Sequence, residues 1–402
     1  MLRHPNLVLT LIARLCASFG SQMLEVAVGY DIYERTGSKL LLGYVGLTQF
    51  LPMLAMTLPA GHVADSYERR KVIMTMQSVM MLASLGLFLI AHNHGSVGWI
   101  FLCLTISGIA RTFLWSSTAS FLPLLVSREE FPRALTWFTG AFQFSAVTGP
   151  AVGGTLYDLT HGASTVYLAN TIMGALCVTL FSFVRVAHKP TEKQNVSMES
   201  LLGGFRFVFQ NRIILGTITL DLFAVLFGGA TTLLPVYAKD ILRVGSLGNG
   251  LLRAALPAGS LACSAFLASR PPLRHAGRAL LWAVVAFGVA TIVFGLSRSF
   301  GLSLAMLFIA GFADNVSVIV RHTLVQLLTP DAMRGRVSSV NNLFIGTSNE
   351  LGGFESGAVA QWTSTVFSVV TGGIASILVV AGVAWIWPEI PKFGRLVQPE
   401  KD

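Results

Sequence analysis

About twelve apolar runs constrain this chain more than any other feature, because each approaches the ~20 residues that an α-helix needs to cross a hydrocarbon layer of about 30 Å. They fall near residues 7–31, 40–63, 72–91, 98–122, 134–157, 163–186, 213–237, 247–268, 279–297, 301–328, 337–360 and 365–387. Runs of this length are sustainable side by side only where lipid replaces water. Composition agrees: 12% of the 402 residues are charged and 53% apolar, whereas soluble domains carry about 25% charged residues. The expectation is an all-α membrane protein with twelve transmembrane helices and no soluble domain left over. The first run follows Arg3 and lacks a small-residue cleavage site, so it reads as a retained anchor.

Lysine and arginine orient the spans, since cytoplasmic connections hold an excess of them. With the N-terminus inside, 19 of the 28 Lys and Arg fall in inner segments, five in outer loops and four within spans. Both termini are therefore expected in the cytoplasm. The net charge of +9 then reports topology and requires no nucleic-acid partner. The longest polar stretch, His188 to Arg212, separates six spans from six. Residues 1–187 and 213–388 are the expected six-helix bundles, 188–212 a cytoplasmic linker with an amphipathic helix from Met198, and 389–402 a cytoplasmic tail. A weak repeat accompanies the division: Gly108, Ala110, Leu124, Leu125 and Arg133 recur 203 positions later as Gly311, Ala313, Leu327, Leu328 and Arg336. Paired halves with a substrate path between them at mid-membrane are typical of secondary transporters.

A basic turn, Gly61-His-Val-Ala-Asp65-Ser-Tyr-Glu-Arg69-Arg70-Lys71, joins the second and third runs. It resembles the signature loop of the major facilitator superfamily, with Gly61, Asp65, Arg69 and Arg70 matching while Ser66 and Glu68 depart. The resemblance implies a gating latch, its aspartate near a helix N-terminus and its arginines near carboxylates of neighbouring helices. Gly149, Pro150, Gly153 and Gly154 resemble the end of the helix motif of that superfamily's exporters, with Thr136 and Ser145 where the motif has glycines. The segments Tyr33 to Gly37, Gly250 to Gly259 and Thr329 to Gly357 resemble the bacterial branch that contains the enterobactin exporter and macrolide efflux proteins. What the resemblance implies is two pseudo-symmetric six-helix bundles and export, most simply of a siderophore or drug. A lipid or lysophospholipid flippase of the same fold is the alternative.

Charges inside spans are costly, at least ~2.5–3.5 kcal/mol near mid-bilayer, so they face a partner or a water-filled cavity. Glu25, Asp221 and Glu350 are the first candidates for carrying a coupling proton, since an intramembrane carboxylate can alternate between protonated and ionised forms. Asp314 is a further candidate, although Asp314 and Arg321 lie seven apart on one helical face and equally suit a structural pair. The family resemblance adds Arg111, an arginine in the fourth span. Arg14, Asp31, Arg253, Arg321 and Glu355 are candidates for the substrate cavity, Asp31 being close enough to the outer surface to be solvated. Asn342, Asn349 and Ser356 repeat every seven residues in span eleven, so the two asparagines join that set.

Other classes fit poorly. There is no phosphate-binding Gly-x-x-x-x-Gly-Lys-Ser/Thr loop, no His-Glu-x-x-His and no Gly-x-Ser-x-Gly, so neither ATP-driven pumping nor a membrane-embedded enzyme is expected. Cys16, Cys103, Cys177 and Cys263 all fall in apolar runs without metal-ligand spacing, so neither a bound metal, a cofactor nor a disulfide is expected. The expected partners are the bilayer of a bacterial cytoplasmic membrane, a small-molecule substrate and a proton or sodium ion, with the chain acting as a monomer.

Overall fold

The computed structural model describes residues 5–127, 129–185, 198–271, 274–330 and 333–394. The first ten residues of the expected linker, 188–197, and most of the expected tail, 395–402, lie outside these. The chain order is α1 (Pro5–Thr36), α2 (Lys39–Ser66), α3 (Arg69–His92), α4 (Val97–Phe121), α5 (Phe131–Thr160), α6 (Ser164–Phe183), α7 (Met198–Gln210), α8 (Arg212–Phe227), a short α9 (Leu234–Val236), α10 (Gly245–Ala268), α11 (Ala276–Leu296), α12 (Phe300–Leu328), α13 (Arg334–Trp362), α14 (Thr365–Ile386) and a short α15 (Glu389–Lys392).

Among the described residues, ten helical segments are long and apolar enough to cross a membrane. The other two expected spans correspond to α5 and α13, 30 and 29 residues long. They have the length but not the apolarity, because α5 carries Arg133, Gln143 and Asp158, and α13 carries two arginines, three asparagines and two glutamates. Large apolar side chains such as Trp99, Trp137, Trp282, Trp362 and Trp385 stand exposed, as befits a surface that meets acyl chains.

Local signals set the ends of the helices. Pro5 opens α1, where its missing N–H costs nothing. Gly37, at φ +63°, closes that helix with its N–H on the Tyr33 carbonyl. The Asn211 side chain accepts from the Ile214 N–H at the start of α8, and Ser364 does the same for Phe367 at the start of α14.

Two compact units emerge, each taking a short segment from elsewhere in the chain. The first comprises Met1–Gly37, Leu47–Val196 and Val244–Ala254, the second Ser38–Gly46, Ser197–Arg243 and Ala255–Asp402. Inside the first, α1 packs on α5 and α6, and α3 on α4 and α6. Inside the second, α8 packs on α13 and α14, and α11 on α12 and α14. The pairing scheme is thus built twice in chain order. The first unit buries Ala13, Ile73, Phe121, Cys177 and Phe181 together; the second gathers Leu220, Leu280, Val284, Val320 and Leu324. The expected amphipathic helix is α7, whose Val208 is buried with Ile214, Val325, Val337 and Val340 while Leu202 and Phe209 stay exposed.

Candidate functional site

In the second unit, α8 and α12 bring Asp221 and Arg321 together as a buried ion pair, with Asp221 6% and Arg321 1% exposed. The sequence spacing had offered Asp314 as the partner of Arg321. The structure gives Arg321 to Asp221 instead, because the guanidinium points across to α8 rather than back along its own helix, and Arg321 is too deeply enclosed to line an open cavity. Asp314 is left without an ion pair or hydrogen bond among the described residues. Its carboxylate borders a small cavity with room for about one water molecule, shared with Asp221 and Ser317 and otherwise walled by Ala224, Val225, Val284 and Phe287. Two carboxylates and one guanidinium therefore meet in the packed interior of this unit.

The first unit shows the opposite balance. Glu25 of α1 pairs with Arg253 of α10 at 3.0 Å, and Arg111 of α4 is close enough to act on the Glu25 charge. Arg14 is far along α1 from this cluster, its guanidinium lying 6.0 Å from the centre of the Phe138 ring. Asp31 is not solvated: it is 4% exposed, bonded to Arg35 at 2.7 Å and receives the Tyr167 hydroxyl at 3.1 Å. Tyr157 donates to Glu34 beside them. Those groups form a network between α1, α5 and α6, of which the sequence singled out only Asp31 as a site candidate, since nothing local marks Tyr157 and Tyr167 as its neighbours.

On α13 the polar side chains are divided between accessible and enclosed positions. Asn342 and Asn349 are exposed, while Asn341, Ser348 and Ser356 are buried. Glu350 lies against Gly46 at the start of α2. Glu355 is half-buried and receives the Ser356 hydroxyl at 3.5 Å. The same stretch of α2 is anchored on α13 by the Lys39 N–H, which donates to Gln361 at 3.0 Å, and by its ammonium on the Ala360 carbonyl at 3.2 Å.

The basic turn is shorter than expected. Helix α2 runs through Gly61 to Ser66, and α3 begins at Arg69, so Gly61 does not break the helix; its surroundings are open. The polar last turn of α2 continues the helix past the apolar run. The side chain of Asp65 lies outside the described residues. Arg70 donates to the main-chain carbonyls of Phe181 and Ser182 at 3.1 and 2.5 Å, where a cation offsets the negative end of α6. Lys71 pairs with Glu68 at 2.9 Å.

The glycines near Pro150 have a steric reason. A Cβ on Gly153 would stand 2.8 Å from Met23 Cα and 2.9 Å from its carbonyl oxygen, and one on Gly154 would stand 3.0 Å from Gly250 Cα. Helix α5 thus touches the backbones of α1 and α10 directly. Gly153→Val is expected to lower stability by about 1–3 kcal/mol, the usual cost of forcing extra methyl groups into a close-packed contact; a thermal unfolding midpoint unchanged from the parent would contradict this.

Comparison with known proteins follows this geometry. Residues 10–353 match the Major Facilitator Superfamily. The chain is 26% identical over 394 residues to the enterobactin exporter EntS of Shigella boydii serotype 4 (strain Sb227), covering 97% of this chain and 94% of the relative. It is 25% identical to EntS of Escherichia coli O1:K1 over the same shares. Among solved structures, the nucleoside transporter NupG is similar with a TM-score of 0.75 at 16% identity, covering 95% of this chain and 99% of that one. A bacterial homologue of the human lysosomal transporter Spinster, inward-facing and unoccupied, gives 0.70 at 15% identity, covering 97% of each. These structural likenesses establish the fold.

Proposed function

Because this chain belongs to the Major Facilitator Superfamily and is a multi-pass membrane transporter rather than an enzyme, we propose that it is a proton-coupled exporter of small amphipathic molecules such as siderophores or drugs. In this reading it works in a bacterial cytoplasmic membrane with both termini inside, and access alternates as halves 1–187 and 213–388, joined through 188–212, change conformation. Export is supported by the similarity to the enterobactin exporters and by the exporter-like glycines at the contact of α5 with α1 and α10.

The observation that carries the coupling is the unpartnered carboxylate of Asp314. Of the candidate carriers, Asp221 is held by Arg321 and Glu25 by Arg253, whereas Asp314 borders the small cavity and makes no ion pair among the described residues. A carboxylate enclosed by Val284, Phe287 and the apolar side of α8 is costly as a lone anion, and a proton is the smallest charge that balances it. Glu350 remains a second carrier in this reading, placed beside the start of α2.

The test is reconstitution in proteoliposomes loaded with a macrolide or a catecholate siderophore. An imposed pH gradient is expected to drive cargo against its own gradient, with no response to a sodium gradient. Movement driven by sodium alone would transfer the coupling to that ion, and indifference to both gradients would overturn the reading.

A further inference from the structure

The charges clustered around Glu25 in the first unit do not cancel. Glu25 is matched by Arg253 at 3.0 Å, and Arg111 acts on the same carboxylate yet makes no hydrogen bond or ion pair among the described residues. One carboxylate thus faces two guanidinium groups, and a surplus positive charge is retained within apolar spans, where an unbalanced ion is strongly disfavoured. The cluster is also open to a ligand: the Glu25 and Arg253 side chains keep 42% and 26% of their surface accessible. One turn along α4 from Arg111, and so on the same side of that helix, Trp115 is 72% exposed. Guanidinium groups are suited to planar oxyanions, which they hold through two parallel hydrogen bonds.

We propose that Arg111 and Arg253 recognise an anionic group on the cargo, a carboxylate or other planar oxyanion, with an aromatic or apolar body lying along α4 toward Trp115. Glu25 is the resident stand-in: it occupies the guanidinium groups while cargo is absent and competes with the incoming anion. This deepens the transport reading and rests on it, but it places cargo recognition in the first unit, apart from the coupling carboxylate Asp314 in the second.

The experiment titrates the purified full-length protein with three probes of one skeleton, naphthylacetate, naphthylacetamide and naphthylethylamine, by calorimetry. Naphthylacetate is expected to bind most tightly. Glu25→Gln is expected to tighten it about tenfold by removing the competitor, leaving the amide unchanged, and Arg111→Gln to weaken it about tenfold. A merely structural role for Glu25 predicts loss of binding in Glu25→Gln, not gain. Arg111→Gln guards against misfolding, since Arg111 makes no hydrogen bond or ion pair among the described residues that its loss would break. A preference for the amine, or weaker naphthylacetate binding in Glu25→Gln, would overturn the proposal. Gradient-driven transport together with amine preference would sink this site alone; the expected anion preference without any gradient response would sink the coupling and leave the site standing.

Discussion

Asp221→Asn is expected to destabilise the folded protein by about 3–5 kcal/mol, the loss that follows when one member of a buried ion pair is removed and the other is left uncompensated. Arg321 is 1% exposed, so it cannot turn to water. The size of the loss reflects the stranded guanidinium more than any net attraction in the original pair. The double variant Asp221→Leu, Arg321→Met is therefore expected to recover most or all of the stability, because well-packed apolar residues of similar volume commonly equal or exceed a buried pair. Thermal and denaturant unfolding of the purified protein measure both. A single variant as stable as the parent would show that Arg321 finds another partner, and a double variant no better than the single would show that the pair contributes more than mutual neutralisation.

The second large effect is on coupling. A single proton exchanged for each cargo molecule across a gradient of one pH unit supplies about 1.4 kcal/mol, enough for about tenfold accumulation of a cargo moved without net charge. Asp314→Asn is expected to abolish that accumulation while leaving gradient-free counterflow measurable, since an amide keeps the shape of the carboxylic acid but cannot release a proton. Counting charges makes the same point in structural terms: Asp221 is already matched, so Asp314 is the carboxylate whose state is free to change. Asp314→Asn should accordingly spare stability, in contrast to Asp221→Asn, and this separates the two carboxylates that border one cavity. Full gradient-driven accumulation by the Asn variant would remove Asp314 from the mechanism.

How far the sequence reaches can be judged from particular residues. The long helices were legible because each apolar run carries its own length signal, and only α5 and α13, with polar stripes, fall short of it. Helix ends were less legible: the polar turn from Gly61 to Ser66 looked like a loop, but it prolongs α2. On α13 the seven-residue spacing of Asn342, Asn349 and Ser356 was legible, but the enclosed Asn341 and Ser348 beside them were not, because which polar side chains a helix buries depends on its neighbours. Partnerships were least legible. Glu25 meets Arg253 and Asp221 meets Arg321 across 228 and 100 positions, and no local pattern encodes which helices become neighbours. The spans that would carry charge could be named in advance; their pairing is a property of packing.

The bond between α8 and α12 also bears on how the protein is made. Asp221 leaves the ribosome 100 residues before Arg321, an interval of about 5–20 s at ordinary rates of synthesis. Throughout that time α8 holds an acidic group that lipid does not welcome and that its eventual counter-charge cannot yet reach. The late arrival of α12 therefore leaves α8 either to enter the bilayer with Asp221 as the neutral acid or to stay beside water until its counter-charge has been made.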